Sequence, residues 1–499
     1  MKKVLYTGVA LMLTCLFTSC GESFLDTISS DTYNEANWWK TETQAISSLN
    51  GCYAVLRNGQ IGGTSNLSTE NVSPNSYNMS GEIALATGNH TPGNVSDFMN
   101  KWDANYQGIG RVNTLLDNID KILMDPELNK RIKAEAYFLR ALFYYNLVNY
   151  FGGVPLILES PNFENQGKLP RNTRQEVLSQ VITDLDNAIS ELPVSYTGSD
   201  IGRATKGAAM AFKTRVLLYE SRWQEAAQSA KAVMDLKKYE LFPDYRGLFM
   251  LENEGNKEVI FDIQFKVPEY SNSFDNLLEV QMNVAPTLDL VNSYLMSDGK
   301  SIAESPLYDP ANPYENRDPR LQKTIVIPGY MFRGSIVKAS KYFSTGFGFK
   351  KYTTYKDDVA QSTIINSEIN FILLRYADIL LMYAEAQNEA AGSDATVYEA
   401  LHQIRLRAGM PDVPEGLSKE QMREVIRHER RIELAAEGLY YNDIRRWRTA
   451  ETVMNADVRN SKGEVVQVRT FNAQRDYLWP IHEITRQENP NLEQNPNYN

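Results

Sequence analysis

The chain has 499 residues, a formal net charge of −11 and three cysteines. An acidic chain without a long basic segment has no electrostatic attraction for phosphate backbones, which excludes nucleic acid as a partner. Its length is sufficient for one large or two ordinary hydrophobic cores.

The first segment has the layout of a bacterial lipoprotein signal. Lys2 and Lys3 precede a largely apolar stretch, 4–19, that is too short to span a bilayer comfortably and ends beside Cys20. We predict a signal peptide over residues 1–19 and lipidation of Cys20. Cys15 is the alternative lipidation site, and a plain secretory signal is the alternative interpretation. Cleavage would remove two lysines and change the formal charge from −11 to −13.

Cleavage would leave Cys52 as the only cysteine besides Cys20, so no disulfide framework is expected. Cys52 lies in a stretch of small residues with a helical pattern. We interpret it as a buried residue that fills space in the core.

Two blocks of helical periodicity follow, at about 40–240 and 370–450. Apolar residues recur at three- and four-residue intervals, and glycine or proline marks the ends of the segments. The predicted helices are 131–147, 176–191, 205–219, 223–236, 374–391, 395–408 and about 418–450. Alanine-rich helices joined by tight turns are typical of stacked helical hairpins, and the spacing in 226–233 fits the second helix of a tetratricopeptide unit.

The sequence between the two blocks has a different character. Residues 258–265 form a strand-like run, and the rest of 240–370 is rich in Gly, Pro, Ser and Tyr. Residues 56–100 are also irregular. Compact proteins seldom keep long irregular stretches without a use, so 56–100 and 270–350 are the first candidates for function.

Nine motifs in chain order resemble the SusD/RagB family of outer-membrane nutrient-binding lipoproteins. They are Cys20 with Phe24-Leu25-Asp26, 134–141, Tyr150-Phe151-Gly152-Gly153-Val154-Pro155-Leu156, 202–209, Arg317-Asp318-Pro319-Arg320-Leu321, 374–386, 429–438, Asp443-Ile444-Arg445-Arg446-Trp447 and 489–496. Each motif is weak alone, and together they extend over nearly the whole chain.

The resemblance implies a mostly α fold. It would consist of tetratricopeptide-like helix pairs in a right-handed superhelical scaffold, with a loop-rich ligand-binding part and few short strands, forming one domain over 20–499. It also implies a lipid-anchored protein of the outer membrane, facing the cell exterior, that captures oligosaccharides and acts as a lid on a TonB-dependent transporter. Peptide capture and a helical scaffold without a ligand are the alternatives.

Charged residues near the carboxyl terminus suggest catalysis at first sight. Arg430, Glu433 and Glu437 share one helix face at three- and four-residue spacing, which indicates structural ion pairs within or between helices. Arg375 and Asp378 are one turn apart, and we expect them to form a partly buried pair with each other.

No constellation for metal binding or nucleophilic catalysis is present in the sequence. The four histidines do not stand at ligand spacing on one helix, and no serine lies in a Gly-x-Ser-x-Gly motif. Paired carboxylates for glycoside hydrolysis converge in space, so 62 acidic residues do not discriminate for or against them. We predict a binding protein rather than an enzyme, with no cofactor and no metal.

Aromatic residues are the more informative class. Most of those in 137–145, together with Trp102 and Trp447, fit core positions, whereas a sugar site needs an aromatic plate beside amides or carboxylates. The exposed candidates in the irregular regions are Tyr77, Phe98, Tyr308, Tyr330, Phe332, Tyr342, Phe343 and Phe347. The predicted ligand-binding residues are Tyr77, Asn78, Phe98, Tyr308, Tyr330 and Phe332.

The signal sequence gives the first testable prediction. Cys20→Ala should release the protein from the membrane fraction, because each buried CH₂ of an acyl chain contributes about 0.8 kcal/mol to anchoring and the variant loses all of them. Cell fractionation and mass spectrometry of the mature amino terminus measure this. Membrane retention of the variant, with no acyl mass on the unsubstituted protein, would contradict it.

Overall fold

The computed structural model describes residues 38–78, 80 and 83–498. The predicted signal peptide and Cys20 lie outside the described residues. None of the helices in the described ranges is long and apolar enough to cross a bilayer.

Helices dominate both blocks that periodicity identified. The first block contains α1 (Glu42–Ala54), α2 (Thr64–Thr69), α3 (Ala84–Thr87), α4 (Ser96–Asn118), α5 (Pro126–Phe151), α6 (Phe163–Gln166), α7 (Arg174–Glu191), α8 (Lys206–Tyr219) and α9 (Trp223–Asp235). After it come α10 (Leu288–Ser293), α11 (Arg320–Thr324), α12 (Tyr376–Ala391), α13 (Ala395–Ala408), α14 (Lys419–Glu433), α15 (Tyr440–Arg446), α16 (Ala450–Val453) and α17 (Glu483–Glu488).

Strands are short and occur only as antiparallel pairs within the described residues. They are β1 (Ser76–Tyr77), β2 (Val259–Ile263), β3 (Ala285–Pro286), β4 (Ile325–Val326), β5 (Met331–Phe332), β6 (Ser335–Ile336), β7 (Gly348–Phe349), β8 (Phe371–Arg375), β9 (Asp457–Arg459) and β10 (Val465–Val468). The pairs are β1 with β3, β2 with β8, β4 with β7, β5 with β6, and β9 with β10. The predicted mostly α architecture of helix pairs with few short strands is confirmed.

Local sequence sets several helix ends. Thr173 and Ser418 begin α7 and α14 with capping boxes, in which each hydroxyl accepts from the backbone of the third helical residue and that residue's side chain accepts in return. Asp125 caps α5, and Pro126 occupies its first position, where a missing N–H costs nothing.

The single long helix predicted over 418–450 is wrong, because α14 ends at Glu433, α15 covers Tyr440–Arg446 and α16 begins only at Ala450. Ala436 and Gly438 have φ values of 63° and 74° and break the helix. A Cβ at Gly438 would lie 2.2 Å from the carbonyl oxygen of Asn66, so only glycine allows this approach. The break brings the 429–438 motif against residues 66–70.

Helices pack on helices near them in sequence, and α9 packs on α12, which joins the two helical blocks around one core. α5 packs on α7, α8 on α9, and α12 on α13 and α14. One contiguous cluster of buried apolar residues extends from Ala45 to Leu492. Phe138, Phe143 and Tyr144 are fully buried in it, as periodicity predicted, and so is Cys52, whose pKa burial raises to about 12. Trp447 is only partly buried.

A network of ion pairs runs through the interior between α11, β8, α13 and α14. In the described part of the chain its cations are Arg320, Lys351, Arg375, Arg405 and Arg407, and its carboxylates are Glu258, Asp318, Glu429, Glu433 and Glu437. Burial alone would raise the pKa of Glu433, but Arg407, Arg375 and Arg320 lower it well below its ordinary value. The charges cancel, which is what a low-dielectric interior requires.

A second network includes carboxylates of α12 and joins it to α8, α14 and α15. It joins Arg215, Arg430 and Arg446 to Asp378, Glu385 and Asp443. The structural interpretation of Arg430, Glu433 and Glu437 is therefore confirmed. The predicted pair between Arg375 and Asp378 is wrong, since Arg375 precedes α12 and turns to the first network while Asp378 turns to the second.

The second prediction concerns Arg430, which donates to Asp378 at 2.9 Å and to Asp443 at 3.2 Å. Arg430→Ala should lower the free energy of unfolding by about 3–5 kcal/mol, because Asp378 and Asp443 each lose one of their two cations and the network keeps three buried carboxylates for two arginines. Chemical denaturation measures this. The control is Arg459→Ala, which removes an exposed pair with Asp457 and should cost at most about 1 kcal/mol. Equal losses in the two variants would contradict the prediction.

Candidate functional site

The two irregular regions predicted from the sequence meet in the structure. β1 pairs with β3, so that Tyr77 lies opposite Ala285 and Ser76 opposite Pro286. The N–H of Thr287 donates to the carbonyl of Asn75 at 3.1 Å and extends this pairing. We call the pairing of β1 with β3 the junction.

Tyr77 and Asn78 are half-buried at the junction, and amide side chains stand next to them. Asn283 accepts from the Ser80 hydroxyl, and its own amide donates to Gln281 at 3.0 Å. Gln281 is exposed. A phenol ring beside several amides is the mixture of groups that a sugar ring and its hydroxyls require.

Tyr308 and Tyr330 lie farther along the second irregular region and are also half-buried. Between them in sequence is Tyr314, which sequence reasoning missed. Burial, and then the neighbouring Tyr308 phenol, raise the pKa of Tyr314. Its ring packs edge-to-face on Phe347 with centroids 6.0 Å apart. We call Tyr308, Tyr314 and Tyr330 the tyrosine cluster.

A hydrogen bond holds Tyr330 in place. Its hydroxyl donates to Glu315 at 2.7 Å, and burial followed by this hydrogen bond raises the pKa of Tyr330 to about 12. The phenol thus stays neutral at physiological pH and its ring orientation is fixed. A fixed ring loses little conformational freedom when a ligand stacks on it.

A cavity of about 470 Å³ adjoins Tyr330. Its walls include Met331 and the polar side chains of Gln322, Lys323 and Asp357. Apolar surface, an amide and charged groups therefore surround one space of the size of a small ligand site.

The junction and the tyrosine cluster are joined by a short series of contacts. β3 packs beside β7, and β7 follows Phe347, whose ring contacts Tyr314. The structure therefore connects Tyr77 to the tyrosine cluster through packed elements.

Two predicted site residues are buried, which makes the expectation of exposure wrong for them. Phe98 is fully buried because residues 96–118 form α4, and its ring faces Trp479 at 5.1 Å. Phe332 is 1% exposed in a small separate core with Val326, Val337, Tyr342 and Tyr355.

The burial of Phe332 follows from strand alternation. In β5, Met331 points outward and is 44% exposed, while Phe332 points inward. Lys341 and Lys350 cover its ring at 5.4 and 5.6 Å from the centroid. Tyr342 and Phe347 are buried as well, whereas Phe343 is 69% exposed.

A second concave surface is larger and more apolar. This apolar groove of about 1000 Å³ lies between α1, α4 and residues 157–167. Its aromatic residues are Trp38, Trp39, Trp102, Tyr106 and Phe163. Trp102 packs on Tyr106 and Phe151, as expected for a packing position. Polar side chains such as Asp103, Arg111 and Asn162 also line this groove, but apolar surface predominates in it, whereas apolar and polar surface are nearly balanced in the cavity at Tyr330, which suits a sugar better.

Groups suited to metal binding do not converge in the structure. Across residues 38–78, 80 and 83–498, no three side chains of His, Cys, Asp or Glu are grouped so as to hold a metal ion. His90, which is buried, contacts Asp476 and Tyr498 and so belongs to the core.

Comparisons with known proteins agree over nearly the full length. The family model described as "SusD family" matches residues 257–498, and the model described as "Starch-binding associating with outer membrane" matches residues 23–218. The SusD-like protein P38 of Formosa agariphila is 26% identical, and the alignment covers 100% of this chain and 99% of that protein.

Solved structures show the same fold. A SusD-like carbohydrate binding protein from Bacteroides fragilis is 28% identical, with a TM-score of 0.83 over 91% of this chain and 99% of that one. A laminarin binding SusD-like protein is 26% identical, with a TM-score of 0.70 over 92% of this chain and 100% of that one.

Proposed function

Because the chain belongs to the SusD/RagB family, we propose that it is a binding protein for oligosaccharides whose ligand face comprises the junction and the tyrosine cluster. The observation that carries the proposal is the set of three half-buried tyrosines, one of which, Tyr330, lines a cavity with an amide and charged groups. Relatives with comparable identity are named for carbohydrate and laminarin binding.

The proposal includes binding without catalysis. Sugars are held by stacking on aromatic faces and by hydrogen bonds to their edges, and each ring contact contributes on the order of 1 kcal/mol. Several such contacts on a fixed surface give a useful affinity, since little freedom of the protein is lost.

The proposal also includes a place in the cell. The mature chain would be one domain, lipid-anchored at Cys20 to the outer membrane, facing the exterior and delivering its ligand to a TonB-dependent transporter. The description "associating with outer membrane" of the matching family model supports this location.

Substitutions in the tyrosine cluster test the ligand face. Tyr308→Ala, Tyr314→Ala and Tyr330→Ala should each weaken binding of soluble starch or laminarin roughly five- to tenfold, because each removes one stacking surface. Calorimetric titration of the purified mature domain, beside thermal melts, measures both affinity and stability. We expect the melting temperature to change little for Tyr308→Ala and to fall for Tyr314→Ala, whose ring also packs on Phe347.

Two control variants distinguish this face from the apolar groove and from a general loss of stability. Phe163 lies in the apolar groove, outside the proposed ligand face, and is 91% exposed. Phe163→Ala should therefore leave both the affinity for the glycan and the melting temperature unchanged. Phe332→Ala should lower stability by about 3–5 kcal/mol because it empties a buried site. Weaker binding in Phe163→Ala, with full affinity in the three tyrosine variants, would place the site in the apolar groove. A peptide that binds where starch and laminarin do not would favour peptide capture.

The transporter partnership gives a separate prediction. After mild detergent extraction, the lipoprotein should co-purify with a TonB-dependent barrel, because a lid must stay with its channel. The measurement is affinity purification followed by mass spectrometry, with Cys20→Ala as the unanchored control. Migration of the anchored protein alone, under conditions that keep other outer-membrane complexes intact, would contradict the lid arrangement.

A further inference from the structure

The loop that leads into Tyr77 consists of polar residues that are buried. Its buried polar members are Glu70, Asn71, Ser73, Asn75 and Ser76. Buried polar groups are costly unless each finds a hydrogen-bond partner. The partners of this loop therefore determine where Tyr77 and Asn78 lie.

Arg469 supplies three of these partners from the end of β10. It is buried, and its guanidinium donates to the carbonyl of Asn71 at 3.0 Å, to that of Ser76 at 2.6 Å and to that of Ser73. No carboxylate among the described residues forms an ion pair with it. Burial lowers the pKa of Arg469 to about 10, so it remains charged at neutral pH.

Side chains from other elements complete the support of the loop. Arg431 of α14 donates to Asn75 at 2.9 Å, and Asn75 donates to Glu70 at 2.9 Å. The N–H of Gly438, at the break after α14, donates to the other oxygen of Glu70 at 2.9 Å.

The hairpin of β9 and β10, residues 457–468, also contacts the segment that packs on the tyrosine cluster. The N–H of Ser461, at its turn, donates to the carbonyl of Thr345 at 2.6 Å. Gly346 has a φ of 85°, and a Cβ there would lie 2.0 Å from the Ser461 hydroxyl. The next residue is Phe347, the ring on which Tyr314 packs.

We infer that the hairpin 457–468 fixes the position of the junction relative to the tyrosine cluster. It does so through Arg469, which follows β10, and through Ser461 at its turn. Arg469 is then a positioning residue, which touches no ligand and fixes the loop that presents Tyr77 and Asn78. This inference rests on the proposed function only where it concerns ligand affinity.

The first test needs no ligand. Hydrogen exchange of the mature domain is compared between the unsubstituted protein and Arg469→Met, with Arg459→Met on the same hairpin as the matched control. Arg459 is exposed, and its guanidinium donates to Asp457 and to the carbonyl of Gly463. We expect roughly tenfold faster exchange over 70–78 in Arg469→Met, unchanged exchange in α8 and α9, and no change in the control. Unchanged exchange over 70–78, or equal acceleration in α8 and α9, would overturn the inference.

Arg469→Lys is the second variant, in case Arg469→Met does not fold. Lysine keeps the charge but replaces the planar fork with a compact ammonium, which cannot reach the three carbonyls together. We expect exchange over 70–78 that is intermediate between the unsubstituted protein and Arg469→Met, or simply faster where only the lysine variant folds. Exchange equal to that of the unsubstituted protein would show that charge alone suffices and would overturn the role of the fork.

The affinity test uses soluble starch and laminarin as probes. For whichever probe binds the unsubstituted protein, Arg469→Met should bind roughly tenfold more weakly, and Arg459→Met should bind equally well. Faster exchange over 70–78 with unchanged affinity would overturn the link between the loop and the ligand face. If neither probe binds the unsubstituted protein, the proposed function fails for these glycans, while the exchange experiment still decides whether Arg469 positions the loop.

Discussion

The buried ion-pair networks are the constraint on which the rest of the structure depends. A charge in a low-dielectric interior is costly unless an opposite charge and hydrogen bonds meet it. In the first network, Glu433 contacts Arg320, Arg375 and Arg407, which come from three different elements. α11, β8, α13 and α14 must therefore adopt one relative arrangement, because any other leaves a buried charge without its partner.

The first network also fixes the chain segment next to the ligand face. Asp318 and Arg320 bond to each other and follow Tyr314 in the chain, so the segment after the tyrosine cluster is fixed to the interior. The networks thus provide a rigid base, although they contribute no ligand contact themselves.

Other buried arginines stabilise the irregular segments by donating hydrogen bonds to backbone carbonyls instead of pairing with carboxylates. Arg317 donates to the carbonyls of Val291, Tyr294 and Pro313, as Arg469 does to those of loop 70–76. Loops without helix or strand pairing have carbonyls that need donors, and a planar guanidinium serves several at once. Long irregular stretches can therefore be as fixed as the helices beside them.

The sequence was sufficient for the parts of the fold that depend on periodicity. The ranges 176–191, 205–219 and 395–408 agree with α7, α8 and α13 within two residues. The helix break at Gly438 was missed because it depends on the approach of Asn66, a contact from the other end of the chain. The partners of Arg375 were missed for the same reason, since spacing along one segment does not reveal charges that arrive from elsewhere.

The candidate site was also predictable only where it depends on local sequence. The two irregular regions could be identified from composition, and Tyr314 could have been noticed in its Pro- and Asn-containing segment. The sequence alone could not show whether an aromatic residue in such a region faces solvent or the core. Phe332, for example, points inward and Met331 outward because β5 pairs with β6, and that pairing was not predicted. Phe98 was misjudged because the beginning of α4 was taken as part of an irregular stretch.

The position of the anions in the first network has a consequence for the order of folding. Arg320 and Arg375 precede their partners Glu429, Glu433 and Glu437, which lie within the last 71 residues of the chain. With only Glu258 and Asp318 as counterions, a chain that ends before residue 429 would have to bury the five cations of this network. Such a chain gains more by keeping them in water, so we expect stable tertiary structure to wait for the carboxyl-terminal helices. The charges of this interior are therefore balanced fully only when the last segment of the chain is in place.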